Sequence, residues 1–597
     1  MGSDATSAMP SVPAQAPIGI PMRGVAVQVG DLGTVEGPVA GTLDNAAGGL
    51  GNTAWQASER GATVTLLQNM PVSTPSAAYR LLMRKLLLTA APPPPGRSNV
   101  SFNWLRLTKL MEGGYVEDAA NLALRIQAPM NAEILRAQTD ALLYAGRDTD
   151  ACSDLTAQRL DTAESFWVEL RAYCYAVTGD TGPLELTRAV IREQGLADPA
   201  FLTLLDGMIA GKPVAPSTIR YPDSLHIVMM SKQKLPLTQE MATALGAPAN
   251  LLAVASTATP RPLRLAAAEK LLRAGALPTP IFADVLDFAM FTARDIDGAV
   301  ALSRTEPFLN GLSGLRAAFK AARTEAAQAE ILHASFEIAE REGQLAQVSE
   351  LYANEASNVV PAPDWANWSE LMVRALLLAG KPEAAQRWFD ILDRNAPGMA
   401  ETVDQLELSL ALIAPNARRV PGARRLLEDL AVIVYPPPEP VIVSIDPMPD
   451  AATPDPSMPD ATTSLPPLPP PPPKPKPPQA VLTRATLDLG LFDALGELNA
   501  RDAQAAVEPL LAQPSPGRRP PAALMQRIDK AALADASGEV ALSVATAMGP
   551  QGARDLAPDV VVRLVRALQT AGIHDAAHAL ATEAFLLRPR AGAVAGP

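Results

Sequence analysis

The chain contains few aromatic, charged and cysteine residues for its length. Phe, Trp and Tyr make up 4% of its 597 residues, charged residues make up 19%, and there are two cysteines. No apolar run approaches the roughly 18 residues that a membrane-spanning helix requires, so we expect no membrane span. The formal net charge of −13 opposes non-specific attraction to nucleic acid, and no run of Lys or Arg indicates a nucleic-acid site.

The motifs of common enzyme classes are also missing. There is no GxxxxGK[ST] phosphate loop, and Gly48–Gly51 lacks the strand and helix that a dinucleotide fingerprint requires. Gly311–Leu315 does not satisfy the G-x-S-x-G pattern of a serine hydrolase. His574 and His578 share a helix face, but without an HExxH glutamate or a nearby cysteine they indicate an ordinary helix surface. We therefore predict no catalytic, cofactor-binding or metal-binding residues, and no enzyme.

Isolated histidines and glutamates are the remaining candidates for catalysis. We predict that His226 and His333 are packing or surface residues rather than bases. The main alternative is an enzyme of envelope polysaccharide, which would need carboxylates that converge in a deep pocket. Four glutamates lie in C-terminal Ala-rich hairpins with few aromatics, where we predict structural roles: Glu497, Glu508, Glu539 and Glu583.

Apolar residues and prolines are abundant. Apolar residues make up 48% of the chain, and the dominance of Ala and Leu predicts an all-α protein. Many of the 58 prolines cluster in Pro436–Pro478, a stretch with too few large apolar residues to form a core. We predict a polyproline spacer there, or alternatively a docking ligand for an aromatic groove in its PPLPPPPPKPKPP end.

Glycines close successive amphipathic helices at a nearly constant spacing. The first four are 32, 33 and 32 residues apart, and each follows an apolar face with helical periodicity. These four are Gly114, Gly146, Gly179 and Gly211, and the series continues less evenly with Gly246 and Gly275. Because the spacing is close to the 34 residues of a tetratricopeptide repeat, we predict an α-solenoid. The helices predicted from apolar periodicity include those over about Phe102–Glu112 and Leu345–Asn354.

The stretch Trp365–Pro397 resembles the tetratricopeptide helix-turn-helix repeat. The likeness rests on Gly380-x4-Ala385-x3-Phe389-x7-Pro397, and the last hairpin is similar, with Gly572-x4-Ala577-x3-Ala581. Such a hairpin cannot bury its apolar face alone, so the resemblance implies a stack of paired helices.

Composition divides the chain into five regions. They are a flexible N-terminal arm (1–35), a Gly-rich loop with helices (36–95), a helical-repeat superhelix (101–434), a Pro-rich linker (435–479) and a smaller C-terminal helical-repeat unit (480–590). About three hairpins fit the last region. Proline-rich turns between Lys212 and Asn310 predict irregular hairpins that bend the superhelix.

The N-terminal helical region resembles a set of uncharacterised alphaproteobacterial helical-repeat proteins labelled "antifreeze glycopeptide"-like. The residues that carry the resemblance are Leu43-Asp44, Gly48-Gly49-Leu50-Gly51, Trp55, Arg60, Leu66-Leu67, Met70-Pro71 and Leu86–Leu88. Members of this set look exported, which implies a periplasmic or envelope location. The label implies no ice-binding activity here, because the chain has no Ala-Ala-Thr array or threonine grid.

The cysteines and the start of the chain bear on the compartment. Cys152 and Cys174 are predicted on consecutive antiparallel helices at comparable height, which allows either a disulfide or two buried thiols. A bridge would indicate an oxidising compartment. The start MGSDATSAMPSVPAQAP has neither the basic nor the apolar region of a signal peptide, which favours the cytoplasm if this is the natural start. Residues 1 to about 20 also resemble the Ala/Pro/Ser tail that often follows a removed signal, so both locations stay open.

The aromatic residues supply the candidates for partner binding. Trp365, Trp368, Trp388, Trp167 and Tyr175 are predicted either to pack between repeats or to line a groove for a partner's peptide or helix. We therefore expect a non-catalytic scaffold that presents a helical-repeat groove to a protein partner. The alternatives are the polysaccharide enzyme and a structural spacer in a larger assembly. Neither the partner nor the oligomeric state follows from the sequence.

Overall fold

The fold is all-α, as predicted. The computed structural model of the protein describes residues 39–127, 131–157, 165–195, 198–216, 219, 222–244, 246–395, 397–413, 420–434, 478–498 and 501–587. These residues form thirty α-helices and two short 3-10 helices, and their only β-type pairing is isolated bridges. None of the helices in the described ranges is long and apolar enough to cross a membrane.

The helices follow one another with short connections along most of the chain. The first sixteen are α1 (Arg60–Asn69), α2 (Ala77–Leu88), α3 (Phe102–Glu112), α4 (Val116–Ala123), α5 (Ala132–Tyr144), α6 (Asp148–Ala157), α7 (Ser165–Thr178), α8 (Thr181–Gln194), α9 (Pro199–Ala210), α10 (Ser224–Lys232), α11 (Gln239–Ala244), α12 (Gly246–Ala255), α13 (Arg261–Arg273), α14 (Thr279–Asp287), α15 (Ala293–Asp297) and α16 (Ala299–Leu302). The others are α17 (Phe308–Ala321), α18 (Glu325–Arg341), α19 (Leu345–Leu351), α20 (Ala353–Asn358), α21 (Ala366–Leu378), α22 (Pro382–Asn395), α23 (Ala400–Ile413), α24 (Val420–Val434), α25 (Gln479–Ala494), α26 (Arg501–Leu511), α27 (Ala522–Leu533), α28 (Ser537–Met548), α29 (Pro558–Thr570) and α30 (His574–Leu586).

Five of the six glycines of the predicted series occupy turns after helices, whereas Gly246 is the first residue of α12. Each has a positive φ, from 62° to 79°, a conformation that glycine adopts without the steric cost of a Cβ. The helix predicted over Phe102–Glu112 has those bounds. The prediction of a single helix over Leu345–Asn354 is wrong, because this segment is divided at Tyr352 into α19 and α20. The Tyr352 ring is fully buried and packs edge-on against Phe319 and Phe336.

Successive helices pack pairwise, as in a helical array. The pairs in close contact include α3 with α4, α7 with α8, α17 with α18, α21 with α22 and α29 with α30. In α22 the side chains of Trp388, Phe389 and Leu392 are completely buried, so one face of this helix packs against neighbouring helices. Short connections make consecutive helices antiparallel.

The array returns on itself after residue 212. Helix α10 packs against α5, and α12 packs against both α3 and α5. The helices α10, α11, α14, α15 and α16 have only four to nine residues each. The predicted bend therefore lies in a region of short helices, and it brings segments about a hundred residues apart into contact.

The N-terminal helices lie between the array and the C-terminal helices. Helix α2 packs against α3 on one side and against α28 and α30 on the other. The buried Arg106 guanidinium of α3 donates to the backbone oxygens of Leu87, Ala40 and Thr89 at 2.6 to 3.0 Å, which fixes this segment to the array. The segment 39–95 is thus part of the core.

The C-terminal helices form three hairpins, in agreement with the prediction. They are α25 with α26, α27 with α28 and α29 with α30. Helix α25 packs against α24, and α30 packs against α21 and α23, so the hairpins are joined directly to the end of the array. The predicted arm (1–35) and nearly all of the predicted linker (435–479) lie outside the described residues.

Cys152 and Cys174 form a disulfide. It joins α6 to α7, with the two Cα atoms 5.5 Å apart. Nearby, the Tyr173 hydroxyl donates to the Asp148 carboxylate at 2.7 Å across the same two helices. Of the two possibilities that the sequence left open, the structure contains the bridge.

Candidate binding groove

An open groove of about 840 Å³ lies where the array returns on itself. Helices α3 and α5 form one side, and the first residues of α10 and α12 form the other. Its lining combines half-buried apolar side chains with four acidic groups and one basic group: Trp104, Met111, Tyr144, Glu112, Glu133, Asp140, Asp223 and Arg136. The groove therefore exists only because α10 and α12 pack onto α5 and α3.

Arg136 organises the charges of the groove. Its Nε lies 3.0 Å from Asp140 Oδ2, and its terminal nitrogen lies 3.8 Å from Asp223 Oδ2. The guanidinium also lies 3.3 Å from the centre of the Phe166 ring. The Ser224 hydroxyl donates to Asp140 Oδ1 at 2.5 Å, which joins α10 to α5. Each polar group at this junction thus has a partner on another helix or on the turn before it.

A buried histidine lies behind this junction. Asp223 is the N-cap of α10, and it accepts hydrogen bonds from the backbone N–H of His226 at 3.2 Å and from His226 Nδ1 at 2.7 Å. His226 Nε2 lies 4.0 Å from Asp198 Oδ2 and has no hydrogen-bond partner in the described part of the chain. Glu169 of α7 accepts a hydrogen bond from the Asp198 N–H at 3.3 Å. Three carboxylates therefore surround one imidazole.

Burial and neighbouring charges shift the pKa values in this region. Burial, followed by the charge of Asp223, raises the pKa of Glu169 to about 7. Burial also raises the pKa of Asp140, although Arg136 and Ser224 oppose the shift. Burial alone would lower the pKa of His226, but the hydrogen bond to Asp223 and the surrounding carboxylates raise it. The cluster is therefore sensitive to pH near neutrality.

The groove is suited to a ligand with positive charge and apolar side chains. The acidic side chains outnumber the single Arg136, and Trp104, Met111 and Tyr144 offer apolar contact area. Within the described ranges, no group of three or more His, Cys, Asp or Glu side chains is arranged to hold a metal ion. The acidic side chains can attract and orient a cationic group of a ligand.

The predicted partner-binding aromatics divide into two groups. Trp167 and Trp388 are almost completely buried, as expected of side chains that pack between helices. Tyr175 on α7 is half-buried. Trp365 and Trp368 are also half-buried. None of the five lines the groove between α3, α5, α10 and α12.

Trp365 and Trp368 belong to a column of stacked rings. Trp365 lies 6.1 Å from Trp368 and 6.1 Å from Trp388, and Trp368 lies 5.5 Å from His333, with interplanar angles of 18° to 28°. His333 is half-buried, and burial lowers its pKa, which favours the neutral form of the ring. We call His333, Trp365, Trp368 and Trp388 the aromatic column.

The C-terminal glutamates do not converge on a pocket. Glu508 and Glu539 pair with Arg566 and Arg527, at 3.3 and 2.8 Å, and Glu497 is exposed. Glu583 is buried, and it accepts hydrogen bonds from the Ser76 hydroxyl at 2.7 Å and from the backbone N–H groups of Ala78 and Ala553 at 3.1 and 3.3 Å. These contacts are structural.

Sequence reasoning missed the junction at Arg136. It treated His226 as a packing or surface residue and did not single out Asp140 or Asp223. The one local signal is the PDSLH segment, in which Asp223 precedes a helix as an N-cap and His226 follows three residues later. The contact between Asp140 and Ser224 spans 84 residues, so no local pattern reveals it.

Comparison with known proteins gives no relative. No family model, no curated protein and no solved structure matches the chain.

Proposed function

We propose that the protein is a non-catalytic scaffold of the bacterial cell envelope, in which an array of tetratricopeptide-like repeats binds a segment of a partner protein. The groove between α3, α5, α10 and α12 carries the proposal. It is open, has a volume of about 840 Å³, and is lined by both apolar and acidic side chains. We expect the bound segment to carry Lys or Arg next to apolar residues.

The disulfide supports the envelope location. Disulfides persist in oxidising compartments such as the periplasm and are rare in the reducing cytosol. The bridge between the buried Cys152 and Cys174 joins α7 to α6, and α6 packs against α5 of the groove. The export implied by the resemblance of the N-terminal region points the same way.

Site-directed photo-crosslinking in the native organism tests the proposal. A photo-reactive residue at Thr108, inside the groove, should capture a defined partner, whereas the same residue at the exposed Leu186 of α8 should not. The double change Trp104→Ala and Glu133→Lys removes apolar area and reverses one charge, so it should reduce capture from Thr108 at least fivefold. Unchanged capture with a folded double variant would reject the groove as the binding surface.

The second candidate function is an enzyme of envelope polysaccharide. It is favoured by the convergence of Asp140 and Asp223 on one groove, together with the raised pKa of Asp140. A glycoside hydrolase needs a protonated carboxyl group and an ionised carboxylate on either side of the bond it cleaves. The variants Asp140→Asn and Asp223→Asn distinguish the two functions. If the protein is an enzyme, either change should abolish its function in the cell completely. If it is a scaffold, either variant should still capture the partner, at a reduced level.

A further inference from the structure

The aromatic column lies on a different surface from the groove. Its half-buried members, His333, Trp368 and Trp365, come from α18, from the start of α21 and from the short helix before α21. Their centroids are 5.5 and 6.1 Å apart, so they span at most about 12 Å, the length of about four residues of polyproline II at roughly 3.1 Å each. Each of the three rings is half-buried, so each exposes part of its surface. Proline-rich segments dock on aromatic surfaces of this kind.

The carboxylates near the column have a defined arrangement. Asp364 is exposed immediately before Trp365. Glu337 follows His333 by one helical turn on α18, and its side chain is half exposed, with Arg304 3.9 Å away. A ligand that combines proline with positive charge therefore complements both the rings and the acidic groups.

The chain itself contains such a segment. Pro466–Pro478 reads PPLPPPPPKPKPP, with Lys474 and Lys476 as its only charged residues. It leads directly into α25, which begins at Gln479.

The ends of the intervening chain belong to helices that are linked to the column by direct packing. Residues 435–477 connect α24 to α25, two helices that pack together. Helix α24 packs on α23, which packs on α21 and α22, so about two helix spacings of roughly 8–10 Å separate these ends from the column. Because helices joined by short connections alternate in direction, the end of α24 shares a level with the starts of α21 and α23. Arg484 of α25 lies 3.0 Å from Glu401 near the start of α23, which brings the first half of α25 to the same level.

The available length is sufficient. The twelve residues that precede Pro478 reach about 37 Å in a polyproline II conformation, and the distance to be covered is about 20 Å. A tether of this length also gives a local concentration in the millimolar range, so a weak contact is occupied.

We propose that the aromatic column binds the polyproline segment Pro466–Pro478 of the same chain. The rings of His333, Trp365 and Trp368 contact the prolines, and Asp364 and Glu337 attract the two lysines. The column is then an intrachain docking site, separate from the groove proposed for the partner protein.

Peptide binding to two forms of the full-length chain tests the inference. In one form, residues 466–477 are replaced by a Gly/Ser sequence of equal length; the other form is intact. The synthetic peptide PPLPPPPPKPKPP should bind the replaced form at least tenfold more tightly, because the intact form already occupies its column. No binding to the replaced form, or equal binding to both forms, would overturn the proposal.

Matched variants locate the site. In the replaced form, Trp368→Ala should weaken peptide binding at least tenfold, whereas Phe288→Ala, which removes another exposed aromatic ring, should leave it unchanged. If Trp368→Ala does not fold, a peptide with alternate prolines changed to alanine gives the same test without altering the protein. Light scattering identifies the occupant: a dimer for the intact form and a monomer for the replaced form would assign the segment to a second copy and refute docking within one chain.

Discussion

At the scale of single residues, the most unusual group is the buried Glu169. Its side chain is 4% exposed, and its carboxyl group lies among Asp198, Asp223 and His226. The only hydrogen bond that it accepts in the described residues comes from the Asp198 backbone. An ionised carboxylate in such a place is disfavoured, which is why the pKa rises to about 7.

We predict that Glu169 makes the protein less stable as pH rises. Its folded-state pKa of about 7 exceeds the ordinary value of 4.5, so the folded state binds the proton more tightly. The free energy of unfolding should therefore fall between about pH 4.5 and pH 7, and the loss is complete above pH 7. Glu169→Gln removes the titrating group, and it should raise the free energy of unfolding at pH 8 by roughly 1–3 kcal/mol.

Chemical denaturation at pH 5 and pH 8 measures this effect. His226 contributes in the same direction, because its raised pKa gives stability that is present at low pH and lost as pH rises through the folded value. The informative quantity is therefore the difference between variant and parent at each pH. Glu193→Gln, on the exposed surface of α8, is the control and should leave the curve unchanged. If the free energy of unfolding has the same pH dependence in Glu169→Gln and in the parent, the pKa of Glu169 is not raised in the folded state.

At the scale of elements, the sequence predicts individual helices better than their arrangement. Apolar periodicity and terminal glycines are local properties, so α3 could be predicted to the residue. The division at Tyr352 could not, because it depends on a buried ring packing against Phe319 and Phe336 of other helices. The groove depends on α10 and α12 returning to α5 and α3, which is a tertiary event without a local pattern.

The disulfide is the clearest covalent constraint on an element pair. It closes a loop between Cys152 and Cys174 with a sequence separation of 22 residues. Loop-closure entropy for that length predicts a loss of about 3 kcal/mol in the free energy of unfolding when the bridge is removed. We expect Cys152→Ser with Cys174→Ser to show this loss in guanidinium denaturation.

Reduction provides the internal control for the disulfide prediction. The parent protein with a reductant should unfold at the same denaturant concentration as the double serine variant, and the variant should not respond to the reductant. A parent that keeps its full stability when reduced would mean that packing alone holds α6 against α7.

At the scale of the whole molecule, the C-terminal hairpins are joined to the beginning of the chain. Ser537 donates to the Leu50 carbonyl at 2.8 Å, and the Gly538 N–H donates to the Ala54 carbonyl at 3.1 Å. Lys85 pairs with Asp575 at 2.7 Å. Composition alone predicts that the C-terminal helices form a separate unit after a proline-rich stretch. In the structure these contacts join them directly to the N-terminal helices.

We therefore predict that the two halves stay together after the connection between them is cut. A site-specific protease sequence inserted after Ala452 allows cleavage of the folded protein within residues 435–477. The fragments should co-elute in size-exclusion chromatography, because Glu583 accepts three hydrogen bonds from buried groups, including Ser76 and Ala78 of the other fragment. Arg374 adds a second connection by donating to the Leu586 carbonyl at 2.9 Å.

Variants of Glu583 show whether these contacts hold the fragments together. Glu583→Ala leaves buried donors without an acceptor, at a cost of roughly 2–4 kcal/mol, so the cleaved fragments should separate at a lower denaturant concentration. Glu508→Ala removes a pair with Arg566 that lies entirely within the C-terminal fragment, and it should leave the association unchanged. Fragments that separate in native buffer immediately after cleavage would instead support two independent units on a tether. The contacts between the described helices instead describe one continuous body.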